Sequence, residues 1–256
     1  MKSLFSTLAG TLFLVLVGSS VFAQTISAYQ YRRVPADKID EFLYRETTYW
    51  QKVAQKAIDE GKMEFWALLQ KVSGVDLETS SNFLFINSFE NIDAEGIWNP
   101  AAVFPDVPMD QMETNSFTTV TSQIFVRPEN WVDDAAANPE NDYNYVVINY
   151  WDSTDPAAWI TGENTHWAPF IKAEMAKPAT SQVAWGNATV LAPRGDNVGA
   201  TNLSFDLFST LHGALNPQWD ENAVFPEAAL TEMQNLLRSE RGLTVYRIVA
   251  VASNND

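Results

Sequence analysis

Cysteine is missing from all 256 residues. That excludes a disulfide framework, a thiolate nucleophile, a lipidated leader and any cysteine-ligated metal. Histidine is nearly missing as well: His166 and His212 are the only two, which leaves no histidine-rich metal motif. Basic residues are scarce, 16 Lys and Arg against 32 Asp and Glu, for a formal net charge of -16. Such a field repels phosphate backbones and anionic headgroups, so no nucleic-acid partner and, for the mature chain, no membrane partner are expected. There is no Gly-rich phosphate loop and no Gly-x-Ser-x-Gly elbow. Nucleotide and common hydrolase readings are left unsupported. Outside the first residues there is no long hydrophobic run. At the start, Lys2 precedes an apolar stretch from about Leu8 to Val17 and the small-residue ending Val21-Phe22-Ala23. This pattern predicts a secretory leader, residues 1–23, too short to span a bilayer. The expectation is an exported protein, periplasmic or secreted.

What the chain does have is aromatic residues, 15 Phe, 9 Trp and 8 Tyr, and a phrase written twice. Trp98-Asn-Pro-Ala-Ala-Val-Phe-Pro105 returns as Trp219-Asp-Glu-Asn-Ala-Val-Phe-Pro226, 121 residues later. Other matches fall in the same order. Glu46-Thr-Thr-Tyr-Trp50 answers Glu163-Asn-Thr-His-Trp167 at an offset of 117, Trp66 answers Trp185 at 119, and Asn82-x-x-Phe85 answers Asn202-x-x-Phe205 at 120. An offset that only grows is what a duplication followed by small loop insertions gives. The chain divides into a first repeat, 24–127, an acidic linker with Pro and Asn punctuation, 128–142, and a second repeat, 143–256.

Periodicity assigns the same elements to each repeat. Aromatic and β-branched runs predict strands at 26–34, 63–72, 82–89 and 118–127, and again at 143–151, 181–191, 202–208 and 243–252. Apolar residues at helical spacing predict a long first helix from Ile39 to Gly61, with Asp37 as its cap, and a counterpart over 157–177 opened by Asp155-Pro156 and kinked at Pro169. Short helices are predicted at 109–113 and 227–238. Each repeat therefore reads β-α-β-β-α-β, a ferredoxin-like unit of the α+β class. Strands such as Phe83-Leu-Phe-Ile86 are apolar on both faces, so the sheet face without helices must be covered by the other repeat. Two repeats packed sheet to sheet about a pseudo-twofold axis are expected.

This order, the length of each copy, and the long helix ending at Gly61-Lys62-Met-Glu-Phe-Trp66 resemble the dimeric α/β-barrel superfamily in its single-chain form. That superfamily includes antibiotic-biosynthesis-type monooxygenases, EthD-like and NIPSNAP-like proteins and haem-handling members. The resemblance is one of architecture and carries no catalytic residue over. It implies a small, mostly apolar molecule held inside a barrel.

The leading expectation is an exported binder of a small apolar or aromatic ligand, monomeric or a weak homodimer. The alternatives are an enzyme of the cofactor-independent or haem-dependent oxygenase type and an interaction module of the cell envelope. Glu46 and Glu163 lie on the apolar stripes of their helices, where a carboxylate must find a donor or lose its charge. Presence in both repeats favours a role in locking helix to sheet. Differences between repeats point more to function, and His166 stands where the first repeat has Tyr49. Glu163 and His166 are thus the candidate catalytic pair, His166 as general base or haem ligand, though no motif names a cofactor. Candidate ligand contacts are Glu46, Tyr49, Trp50, Trp167, Asn187 and Arg247. Asn87, Asn149, Asn187, Asp206 and Arg247 are polar residues in apolar strands that could converge inside the barrel. No metal site is expected.

Overall fold

The computed structural model describes residues 25–73, 77–133, 143–195 and 199–254. The expected leader and residues 134–142 of the expected linker lie outside them. Eight antiparallel strands, β1 (Ile26–Arg33), β2 (Phe65–Lys71), β3 (Phe83–Phe89), β4 (Thr119–Asp133), β5 (Tyr145–Ser153), β6 (Gln182–Ala192), β7 (Asn202–Phe208) and β8 (Leu237–Ser253), close into one barrel. Their order around it is β1-β3-β2-β8-β5-β7-β6-β4. Each repeat contributes its strands in the ferredoxin-like order, and the seams join β2 to β8 and β4 to β6. This is the dimeric α/β-barrel architecture in a single chain.

Those seams explain two departures from the periodicity. The strand β4 continues to Asp133, so 128–133 are not linker: Val126 to Asp133 pair with β6. Pro128, which lacks an N–H, is accommodated beside a register shift between Pro128 and Asn130. Likewise β8 begins at Leu237, directly after the helix, because that end pairs with β5. Local pattern does not reveal a partner strand that arrives from the other repeat.

The long helices are each built in three pieces. In the first repeat α1 (Ile39–Arg45) passes through a π-helical turn, Glu46–Trp50, into α2 (Gln51–Asp59); in the second α4 (Pro156–Gly162) passes through Glu163–Trp167 into α5 (Ala168–Met175). The N–H of Gln51 reaches back to the carbonyl of Glu46, and that of Ala168 to Glu163, five residues each. Asp155 caps α4 by accepting from the N–H groups of Ala157 and Ala158. Asp37 does not act this way, since it lies inside a 3-10 turn, Ala36–Lys38, and α1 has no side-chain cap. Gly61 ends α2 with φ +70°, where Lys62 N–H bonds the Ala57 carbonyl. Short helices α3 (Met109–Met112), α6 (Leu211–Leu215) and α7 (Glu227–Leu236) complete the chain.

One contact fixes which way every strand residue points. The strands β1 and β5 stand diametrically opposite and run in the same direction, and the Tyr31 and Tyr150 hydroxyls meet at 2.9 Å. They can do so only across the interior. Alternation then places Tyr29, Leu84, Ile86, Val126, Ile148 and Leu203 inside, where they form the barrel core. Trp66, Leu68, Phe83 and Phe85 face outward under Phe42, Ala54, Ala57 and Ile58 of the helices. The same parity puts Asn87, Asn149, Asn187, Asp206 and Arg247 on the outer face. These five do not converge inside the barrel.

Strand pairing also refines the repeat alignment. Tyr31 sits opposite Leu84 and Tyr150 opposite Leu203, while Trp66 sits opposite Asn87 and Trp185 opposite Asp206. The third strands thus superpose at an offset of 119, one residue from the match of Asn82 with Asn202. A one-residue slip turns every side chain to the other face. Asp206, not a neighbour of it, occupies the place of Asn87.

Candidate functional site

Between the helix of the first repeat and the outer face of its sheet lies a cleft of about 330 Å³. Gln30 and Arg32 enter it from β1, Trp66 from β2, Phe85 and Asn87 from β3, and Glu46 and Trp50 from the π-turn. Trp98, Thr114 and Asn115 close it from the long connection between β3 and β4. A π-turn holds one residue more than an α-turn, so the residues on either side shift around the axis. Here that turn presents Glu46 and Trp50 together to the cleft.

Glu46 is 3% exposed. Burial pushes its carboxyl up to about 7, opposed by a 2.7 Å hydrogen bond donated by the Thr114 hydroxyl and by the charge of Arg32. The Arg32 guanidinium lies over the Phe85 ring at 5.0 Å, and its Nε donates to Gln30 Oε1 at 2.6 Å. Trp50 donates its indole N–H to the Met112 carbonyl and meets Trp98 edge to face at 6.1 Å. The cleft therefore combines a proton-exchanging carboxyl, a fixed cation and aromatic walls.

The second repeat has the same frame and different contents. Trp151 stands where the first repeat has Arg32, packs on Trp159 at 5.3 Å, and donates to Ser204, the residue in the place of Phe85. Glu163, also 3% exposed, accepts from Asn187 Nδ2 at 2.9 Å. Burial pushes Glu163 up to about 8, and the nearby Asp206 carboxyl adds to the rise. Asp206 itself is pushed by burial up to about 6, against hydrogen bonds from Asn149 and Gln182. A tryptophan in the place of Arg32 and a carboxyl in the place of Asn87 set this side apart from the first repeat.

The candidate residues separate accordingly. Glu46 and Trp50 share the cleft. Tyr49 lies outside it, against Phe104 at 5.2 Å and Tyr44 at 6.0 Å. Glu163 and Asn187 meet, but in the second-repeat counterpart. Trp167 joins Phe170, Trp219 and Phe225 in an aromatic cluster. His166 is exposed whereas Glu163 is buried, because in a π-turn residues three apart no longer stack on one face. Arg247 is exposed on the outer face and donates to Gln70 at 2.6 Å. Residues that sequence reasoning missed are Arg32, Trp66, Phe85, Trp98 and Thr114. Arg32 was detectable, since it is a charged residue in one repeat and Trp151 in the other. The repeated phrase is explained as well: Trp98 packs on Trp50 as Trp219 packs on Trp167.

Haem, which the resemblance admits, needs an axial His, Met, Tyr or Cys. None of the residues lining the cleft is of those types, and both His are exposed in the second repeat. The cleft does not fit haem. Among the described residues no group of three His, Cys, Asp or Glu side chains is placed to hold a metal ion.

No family model and no curated protein sequence matches the chain. Solved structures do. A protein assigned as a monooxygenase from Lactobacillus acidophilus NCFM superposes with a TM-score of 0.56 at 11% identity, over 90% of this chain and 96% of that one. An anthrone oxidase-like protein gives 0.55 at 14%, over 91% and 94%. A chlorite dismutase variant from Candidatus Nitrospira defluvii gives 0.50 at 9%, over 88% and 91%. At such identities the likeness establishes the fold, that of the dimeric α/β barrels.

Proposed function

We propose that the chain is an enzyme of the oxygenase type that takes a small aromatic molecule into the first-repeat cleft and removes a proton from it with Glu46. The observation that carries this is a carboxyl held near neutral pH beside Arg32, among the rings of Trp50, Trp66, Phe85 and Trp98. A general base works best when its pKa lies near the operating pH. An aromatic substrate with a weakly acidic C–H would lose that proton to the Glu46 carboxylate, and Arg32 would stabilise the resulting anion. Dioxygen is the oxidant for such an electron-rich anion. For a ring methylene the balance closes without a cofactor: two C–H bonds and the O–O bond break, a C=O bond forms, and the second oxygen leaves as water. The fold neighbours described as monooxygenase and anthrone oxidase-like lend support to this class. The cleft volume sits at the lower end of small-molecule sites, about 300 to 1,000 Å³.

The test uses anthrone as probe, with isotopically labelled dioxygen. Anthraquinone should form faster with the mature protein than in buffer and carry the label. Glu46→Gln should lower the rate by about 100-fold or more. The rate should rise with pH through about 7 as the carboxyl ionises. Binding without turnover would overturn the oxygenase reading and return the chain to the class of carriers. Turnover unaffected by Glu46→Gln would overturn the assignment of the base.

A further inference from the structure

A second space, separate from the cleft, opens at one mouth of the barrel. It measures about 260 Å³ and is walled by Ile124, Val190, Pro193 and Ala200, with Tyr31 and Tyr150 also lining it. These two tyrosines are counterparts in the two repeats, one opposite Leu84 and the other opposite Leu203. Equivalent groups that touch each other must straddle the pseudo-twofold axis, so their contact lies on the axis of the barrel.

The two hydroxyls meet in the mouth. Tyr31 and Tyr150 share one hydrogen bond at 2.9 Å, which either hydroxyl can donate, and Tyr246 lies close beside them. The pair owns two protons and its bond uses one, so whichever way that bond runs one O–H of the pair is left to donate to something else. Burial raises all three phenols well above their ordinary value, so they remain donors throughout the physiological range. None of the residues lining the mouth is charged, and the chain's formal charge of -16 works against an anion.

We propose that this mouth is a second binding site, for a neutral molecule with an apolar body and a carbonyl oxygen that accepts from the Tyr31–Tyr150 pair. The apolar wall residues supply contact area, and the tyrosine pair supplies a donor beside the hydroxyls of Ser81, Thr121 and Ser122. The site draws nothing from Glu46 or Arg32, and it stands or falls independently of the reaction assigned to the cleft.

Acetophenone, ethylbenzene and benzoate make a matched set of probes: one ring with a carbonyl, without it, and with a charge. Calorimetric titration of the mature chain should show saturable acetophenone binding, with ethylbenzene weaker by about 5- to 10-fold, the range of one neutral hydrogen bond, and benzoate not binding. Replacing both members of the pair, Tyr31→Phe with Tyr150→Phe, should erase the preference of acetophenone over ethylbenzene. Ala200→Trp should fill the mouth and abolish binding, whereas Asn87→Trp, which fills the cleft instead, should leave it intact. Equal affinity for acetophenone and ethylbenzene in the parent chain, a preference that survives the double Tyr31→Phe, Tyr150→Phe replacement, or binding lost only with Asn87→Trp would each overturn the assignment.

Discussion

Replacing Glu163 by Gln should flatten the loss of stability that the parent chain undergoes between weakly acidic and weakly alkaline pH. The side chain is 3% exposed, and burial lifts its carboxyl from 4.5 to about 8, with the Asn187 hydrogen bond opposing the rise. The native state therefore keeps a proton that the unfolded chain releases. A folded pKa above the unfolded one means that this group's contribution is complete below the unfolded value and disappears as pH climbs through the folded one. Within that window each pH unit removes up to about 1.4 kcal/mol. Going from about pH 5 to about pH 7 should cost the parent roughly 2 to 3 kcal/mol through this residue. Gln keeps the neutral shape at every pH and an oxygen that can accept from Asn187 Nδ2. Urea unfolding followed by tryptophan fluorescence, at steps across this range, gives the difference between variant and parent. That difference cancels the self-repulsion common to both chains. The variant should be within about 1 kcal/mol of the parent on the acid side and pull ahead as pH rises. Parallel curves for the two chains would refute the reasoning, because they would mean that Glu163 ionises in the folded state as readily as in the unfolded one.

Two further substitutions probe the site and the barrel. Thr114→Val removes the hydroxyl that donates to the Glu46 carboxylate. Since that bond stabilises the charged form, the acid limb of the pH profile should move upward from about 7, by roughly half to one unit; a limb that stays or moves down shows the bond is not made. Gly186→Ala puts a methyl group into the Phe205 ring and 2.9 Å from the Asn130 carbonyl. The overpacking should cost about 1 to 3 kcal/mol in denaturant unfolding, with the far-UV spectrum unchanged.

Much of the fold was legible because its signals are local. Asn202 to Phe208 has the bounds that its period-2 pattern predicts, and Asp155-Pro156 opens α4 as its chemistry requires. The seams were not legible: nothing within residues 128–133 announces that β6 will pair with them. The candidate site was half legible. Glu46 and Trp50 were visible as a polar and an aromatic residue on a helical stripe, but Glu163 and His166 read as a pair at regular helical spacing, and the π-turn parts them.

By itself the sequence determined the duplication, the order of elements in each repeat and the acidic, cysteine-free character of the chain, since each is carried by residue identity or short-range period. Only the tertiary structure decided that the strands meet in one barrel, that five polar strand residues face outward, and that Glu46 and Arg32 meet in a cleft of the first repeat. Those outcomes depend on register and on which repeat's strand arrives at each edge, and a one-residue difference in register exchanges inside for outside.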